Sequence, residues 1–229
     1  MNDKLALLQK ANPHLNILPV TDASFGHYAK VLTAFDPTKV IEWALKAGVS
    51  SEGTEYEPSV ALLEAPCAFN QAMSEQVYGG MPMQVGWCYG KNNRLGALEY
   101  HKGNEVDVCV TDMILLLGHV QDIVWGESIS YDTSRVQAFY APAGTVVELP
   151  AWNLHYAPIQ IVGSEEFISL VYLPKGTNTD LAFSPTKQGE AQLLFAVNKW
   201  LLAHPKDKAL AKAQAYPGLS GDDIVVNLL

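Results

Sequence analysis

Arginine is nearly absent. Arg94 and Arg135 are the only two in 229 residues, and the formal net charge is −9. A nucleic-acid surface needs clustered basic side chains to neutralise phosphates, so that class of partner is excluded. An acidic chain is also repelled by anionic lipid. No apolar run approaches the roughly 20 residues that span a bilayer, so no membrane partner is expected. Cysteine is scarce: Cys67, Cys88 and Cys109 form no C-x2-C pair and are odd in number. They read as free thiols of a reducing compartment, packed as small apolar residues. Met1 to Leu5 carries no apolar core of a signal peptide, and the expected location is the cytoplasm. G-x-G-x-x-G, G-x4-G-K-[ST] and G-x-S-x-G are all missing, which removes the usual footholds of nucleotide-binding and serine-hydrolase folds.

Apolar residues are plentiful, at 48% of the chain. A single domain of this length buries a good core, and residues 1–229 are read as one. Residues 1–80 form an N-terminal part. Helices are expected over 3–11 and 38–47, the second started by Asp36-Pro37 and stopped by Gly48. A strand is expected over 58–63 and a short helix over 68–76. Residues 83–173 change character to short β-type runs separated by turns, the pattern of a sandwich or barrel. A C-terminal helical segment is expected within 185–215. Leu193, Leu194, Ala196, Val197, Trp200 and Leu201 lie on one stripe at helical spacing, which predicts a helix over 189–204 that Pro205 stops. Residues 224–226 are expected to add an edge strand.

Chemistry concentrates in two stretches. In Leu98-Glu99-Tyr100-His101-Lys102-Gly103-Asn104-Glu105, side chains two apart on a strand share a face, so Glu99 and His101 project together. Lys102-Gly103-Asn104 is turn-forming and returns Glu105 beside them. In Gly144-Thr145-Val146-Val147-Glu148-Leu149-Pro150-Ala151-Trp152-Asn153-Leu154-His155, the Pro150 turn places His155 at a strand start, where it completes a set of two carboxylates and two imidazoles. Burying carboxylates without a cation is costly, so a divalent ion is the expected cofactor. Mn, Fe, Ni and Zn all suit these donors. Glu148 is the candidate general base, and the competing reading of Glu148 is a packing or rim residue. Arg94 and Arg135 are weaker candidates for holding a carboxylate or phosphate.

The two stretches resemble the paired motifs of the cupin superfamily. The first motif, G-x5-H-x-H-x3-E-x6-G, corresponds to Glu99-x-His101-x3-Glu105-x6-Asp112, with Glu for the first His and Asp for the closing Gly. The second, G-x5-P-x-G-x2-H, corresponds to Gly144-x5-Pro150-x-Trp152-x2-His155, with Trp for the second Gly. The chain resembles uncharacterised bacterial cupin-like proteins and, more distantly, the lyxose-isomerase and ureidoglycolate-lyase types of cupin. The resemblance implies a mainly β, double-stranded β-helix (jelly-roll) barrel with flanking α-helices. It also implies a metal held by Glu99, His101, Glu105 and His155. The expected activity is metal-dependent isomerisation or lysis of a small sugar or hydroxy- or keto-acid. The alternatives are a non-catalytic sugar- or metal-binding sensor and an iron dioxygenase, the latter weakened by Glu99 where such proteins carry His. Barrel strands often pair between subunits, so a homodimer is expected.

Overall fold

A computed structural model describes residues 3–229. Helix α1 (Asp3–Ala11) is followed by β1 (Ile17–Pro19), β2 (Lys30–Val31), α2 (Thr38–Ala47), β3 (Thr54–Glu57) and α3 (Ala68–Ala72). Next come β4 (Met83–Gly90), β5 (Ala97–Tyr100), β6 (Glu105–Cys109), β7 (Met113–His119) and β8 (Tyr131–Asp132). The core is completed by β9 (Gln137–Ala141), β10 (Val146–Leu149), β11 (Asn153–Leu154), β12 (Ile159–Gln160) and β13 (Phe167–Pro174). A hairpin of β14 (Leu194–Ala196) and β15 (Lys199–Ala203), the short α4 (Lys208–Lys212) and β16 (Leu219–Ser220) follow. No helix among the described residues is long and apolar enough to cross a membrane.

The protein is mainly β, with few helices. One sheet has strand order β2-β10-β6-β13-β4-β3 and is antiparallel throughout. A second has order β1-β9-β7-β11, with β12 also on β7. Period-two alternation decides what lies between them. Cys109, Val147, Phe167 and Val171 of the first sheet pack with Met113, Leu115, Leu117 and Phe139 of the second. The alternate residues of the first sheet, among them Val106, Val108, Leu170 and Tyr172, face outward onto Val40 and Ala44 of α2 and onto Phe69. Those of the second, Ile114, Leu116, Ala138 and Tyr140, face outward onto Leu5 and Leu8 of α1. Both faces of both sheets are thus covered. For that reason the strands read as unbroken apolar runs, such as Met113-Ile114-Leu115-Leu116-Leu117, instead of alternating with polar residues.

Several expectations hold. The helix over residues 38–47 is α2, with Asp36 accepting from the Thr38 amide at 3.0 Å and Gly48 closing it at φ 66°. Three do not. The helix over 189–204 is a 3-10 turn at Gly189–Leu193 followed by the β14–β15 hairpin. Its apolar residues satisfied a helical stripe, but β15 pairs along the full length of β5, Trp200 against Tyr100 through Ala203 against Ala97. Asn198 turns the hairpin at φ 56°, which no helix tolerates. Residues 58–63 form turns, and the strand lies just before them as β3, paired with β4. Around Val225 there is one isolated bridge, to Arg94, and no strand.

Candidate metal centre

On β6 the inward side chains are Glu105, Asp107 and Cys109, so the strand carries its face from hydrocarbon into a polar pocket. The turn from β5 to β6 requires Gly103 because a Cβ there would lie 2.8 Å from Pro174 Cγ. His155 follows β11 and forms an isolated antiparallel bridge with Glu99 of β5, their backbones exchanging hydrogen bonds of 2.7 and 3.0 Å. This bridge joins the two motif stretches directly.

Four of the expected residues converge. Glu105 Oε2 lies 3.2 Å from His101 Nε2 and 3.3 Å from His155 Nε2. Glu99 Oε1 lies 3.7 Å from His101 Nε2. Ligand atoms of Glu99, His101 and His155 all fall within 4.8 Å of one another. All four residues are buried. Despite these short separations, neither Nε2 makes a hydrogen bond of acceptable geometry.

The far side of each ring explains the state of the near side. His101 Nδ1 lies 2.7 Å from the Asn198 carbonyl oxygen at the hairpin tip. A carbonyl only accepts, so Nδ1 carries a proton, and the neutral tautomer this fixes has its lone pair at Nε2. His155 Nδ1 lies 3.2 Å from Asn153 Oδ1, and the Asn153 amide nitrogen donates to Tyr28 O at 3.0 Å. That orientation gives His155 the same tautomer. Two buried Nε2 atoms converging beside a carboxylate match the donor set of a divalent cation, with each imidazole oriented by an outer partner.

In the metal-free pocket the electrostatics favour a proton on His155, which a bound cation would have to displace. Burial pushes the Glu105 carboxyl up, but His155 and His101 together hold it well below the usual range. Burial pushes the His155 imidazole down, and Glu105, then Glu99 and Asp107, bring it above its ordinary value. Asp107 is raised by burial and then by Glu105 beside it, while Ser169 donates to it at 3.1 Å. Three buried carboxylates in one pocket are an unfavourable arrangement that a cation relieves.

The structure also adds residues that sequence reasoning missed. Lys199 forms a close ion pair with Glu99 Oε2. A helix over 189–204 gives no reason for it to reach β5; the β15 pairing does. A space of about 30 Å³ adjoins the cluster, walled by Glu99, Glu105, Asp107, His155, Tyr56, Tyr156 and Asn178, among others. Burial raises the Tyr56 phenol.

Other expected site residues lie elsewhere. Glu148 stands opposite Val106 on β6, and Val106 and Val146 both pack in the outward-facing core. Glu148 therefore sits on the far side of the sheet from Glu105 and accepts from Asn104 at 2.8 Å. As a base acting at the cluster it is excluded by this alternation. Arg94 is paired with Asp223, and Arg135 with Asp122 at 3.0 Å. Trp152 stacks on His119 at 5.4 Å, which stacks on Tyr28 at 4.5 Å. Burial lowers the His119 imidazole.

Among solved structures, the chain overlaps with Bacillus subtilis oxalate decarboxylase, studied for its Mn(II) centres, at TM-score 0.30 and 14% identity. It overlaps with an oxalate decarboxylase structure studied for proton-coupled electron transfer at TM-score 0.31 and 14% identity. Each overlap covers 44% of this chain and 24% of the other, so the chain spans about a quarter of those structures. No curated protein sequence matches it. Residues 17–224 match the family model described as Domain of unknown function (DUF4867), and the chain belongs to that family.

Proposed function

We propose that this chain is a cupin-type metal protein in which His101, Glu105 and His155, with Glu99 beside them, hold a divalent ion. The observation that carries the reading is the pair of buried Nε2 atoms, both without hydrogen bonds and both beside Glu105 Oε2. When bound, such an ion supplies Lewis acidity to a carbonyl or hydroxyl oxygen. The chain's own residues do the rest. Asn198 and Asn153 fix the two imidazoles in the ligating tautomer. Glu99 keeps one oxygen on Lys199 and turns the other toward His101. The walls of Tyr56, Tyr156 and Asn178 restrict water around the donors. The finer reading is an enzyme moving a proton between neighbouring carbons of a small hydroxy-carbonyl metabolite, an isomerase or a lyase.

The sensor reading has one observation in its favour: Glu148, the expected base, faces away from the cluster. Metal content by mass spectrometry decides the first point, with His101→Ala expected to lose the ion while the fold survives. Incubation of the metal-loaded chain with sugars and hydroxy-acids in deuterated water decides the second. Deuterium at the carbon beside the carbonyl supports the isomerase, cleavage supports the lyase, and binding without either supports the sensor.

A further inference from the structure

Lys199 reaches the centre through strand geometry. Leu201 of β15 stands opposite Glu99 of β5. Lys199, two residues earlier, shares that face, so its stem crosses diagonally to the Glu99 carboxylate. Trp200, on the alternate face, stacks on Tyr100 at 5.6 Å and anchors the strand from behind. The Lys199 side chain is only 16% exposed.

An ammonium has three N–H donors and no acceptor. Among the described residues, Lys199 Nζ meets only Glu99 Oε2 and the ring of Tyr156, whose centroid is 5.7 Å away. At least one donor of a nearly buried cation therefore has no protein acceptor. Water can satisfy such a donor in the free chain, and an anionic oxygen that replaces the water gains a charge-assisted hydrogen bond. Glu99 and Tyr156, the two groups Lys199 touches, both line the space beside the metal-ligand cluster.

We infer that Lys199 is the anion-recognising residue of this site and that its ligand class is a small hydroxy- or keto-monocarboxylate. The inference rests on the metal-centre reading above. The ligand's carboxylate meets the free N–H of Lys199, and its neighbouring hydroxyl or carbonyl oxygen faces His101, Glu105 and His155. A space of about 30 Å³ holds a water or two, so it admits the head of an acid and not a whole sugar ring. A phosphate dianion fits poorly: it would meet Glu99 and Glu105 against a single ammonium, and both arginines are paired with other carboxylates, Asp223 and Asp122. A neutral sugar leaves the ammonium unused.

The test is calorimetric titration of the purified full-length chain, its metal content measured first, with glycolate, ethylene glycol and inorganic phosphate. Glycolate is expected to bind at least about tenfold tighter than either alternative, since a charge-assisted hydrogen bond contributes roughly 1.5–3 kcal/mol. Lys199→Met is expected to lose that preference with metal content unchanged, and Lys199→Arg to keep part of it. Because Lys199→Met strands Glu99, its melting temperature and metal content are measured beside the titration, and Lys199→Arg, which keeps the charge, reads the preference in a paired fold. Equal affinity for glycolate and ethylene glycol, or undiminished glycolate binding in Lys199→Met, overturns the inference. Tighter binding of phosphate overturns the carboxylate class. A chain that takes up no divalent ion refutes the metal-centre reading instead. Glycolate titration of that metal-free chain against Lys199→Met still decides Lys199.

Discussion

Between the two sheets, Met113, Leu115, Phe139 and Phe167 pack hydrocarbon against hydrocarbon, while Glu99, His101, Glu105, Asp107 and His155 bring ionisable groups together out of water. The two regions share strands: β6 passes from Cys109 in the first to Glu105 in the second within five residues. The apolar region stabilises the fold by removing surface from water. The polar region opposes folding unless its charges are matched, by Lys199 and by a cation. A difference of this kind marks where a protein keeps its chemistry, because groups that oppose folding persist only where something else requires them.

Breaking the apolar side should produce the largest effect. Phe139 is wholly buried and packs edge-on against Phe25 at 4.9 Å. Phe139→Ala is expected to cost about 3–5 kcal/mol in denaturant unfolding, with metal content per folded molecule unchanged. On the polar side the order reverses. His101→Ala is expected to weaken metal binding by more than the ~10–100-fold that losing an outer partner costs. The same change should cost the metal-free fold only about 1–3 kcal/mol, mainly through the Asn198 carbonyl left without its donor. A parallel loss of stability and metal from both variants would erase the contrast between the regions.

Acidity sharpens the comparison. Glu105 is held below its ordinary value of 4.5, so its contribution is present above that pH and lost as pH falls through the lowered value. His155 is raised above its ordinary 6.5, so its contribution is present below that pH and lost as pH rises through the raised value. Both describe one attraction, and it is complete between about pH 4.5 and 6.5. The chelated protein should therefore lose thermal stability on the alkaline side of this window. Protein loaded with Mn²⁺ should gain there, because metal binding needs the neutral imidazole. Melting curves across pH, with and without chelator, separate the two. The smallest effect belongs to Glu148→Gln. Its carboxylate sits on the outward face, bonded to Asn104, so a stability change within about 0.5 kcal/mol and unchanged metal content are expected.

Local periodicity made much of this readable in advance. Glu99 and His101 share a face because side chains on a strand alternate. The Lys102-Gly103-Asn104 turn returned Glu105, and the Pro150 turn set His155 at a strand start. Helix α2 was legible from Asp36-Pro37 and Gly48, since caps are made by neighbours in the chain. The same alternation, followed one strand further, could have placed Glu148: with Leu149 inward, its neighbour must point out. What was missing was knowledge of which face of that strand held the site.

The amino-acid sequence by itself determined the β character of residues 83–173 and the donor types at positions 99, 101, 105 and 155. Those depend on turns and alternation within a few residues. Tertiary structure alone decided the hairpin. Residues 194–203 are apolar enough to satisfy a helix or two strands, and the choice fell to the open edge of β5, about a hundred residues earlier in the chain. Through that pairing Asn198 sets the tautomer of His101 and Lys199 reaches Glu99. Hydrogen bonds between distant segments leave no periodic trace in a sequence, so the outer partners of the site became visible only once the strands were paired.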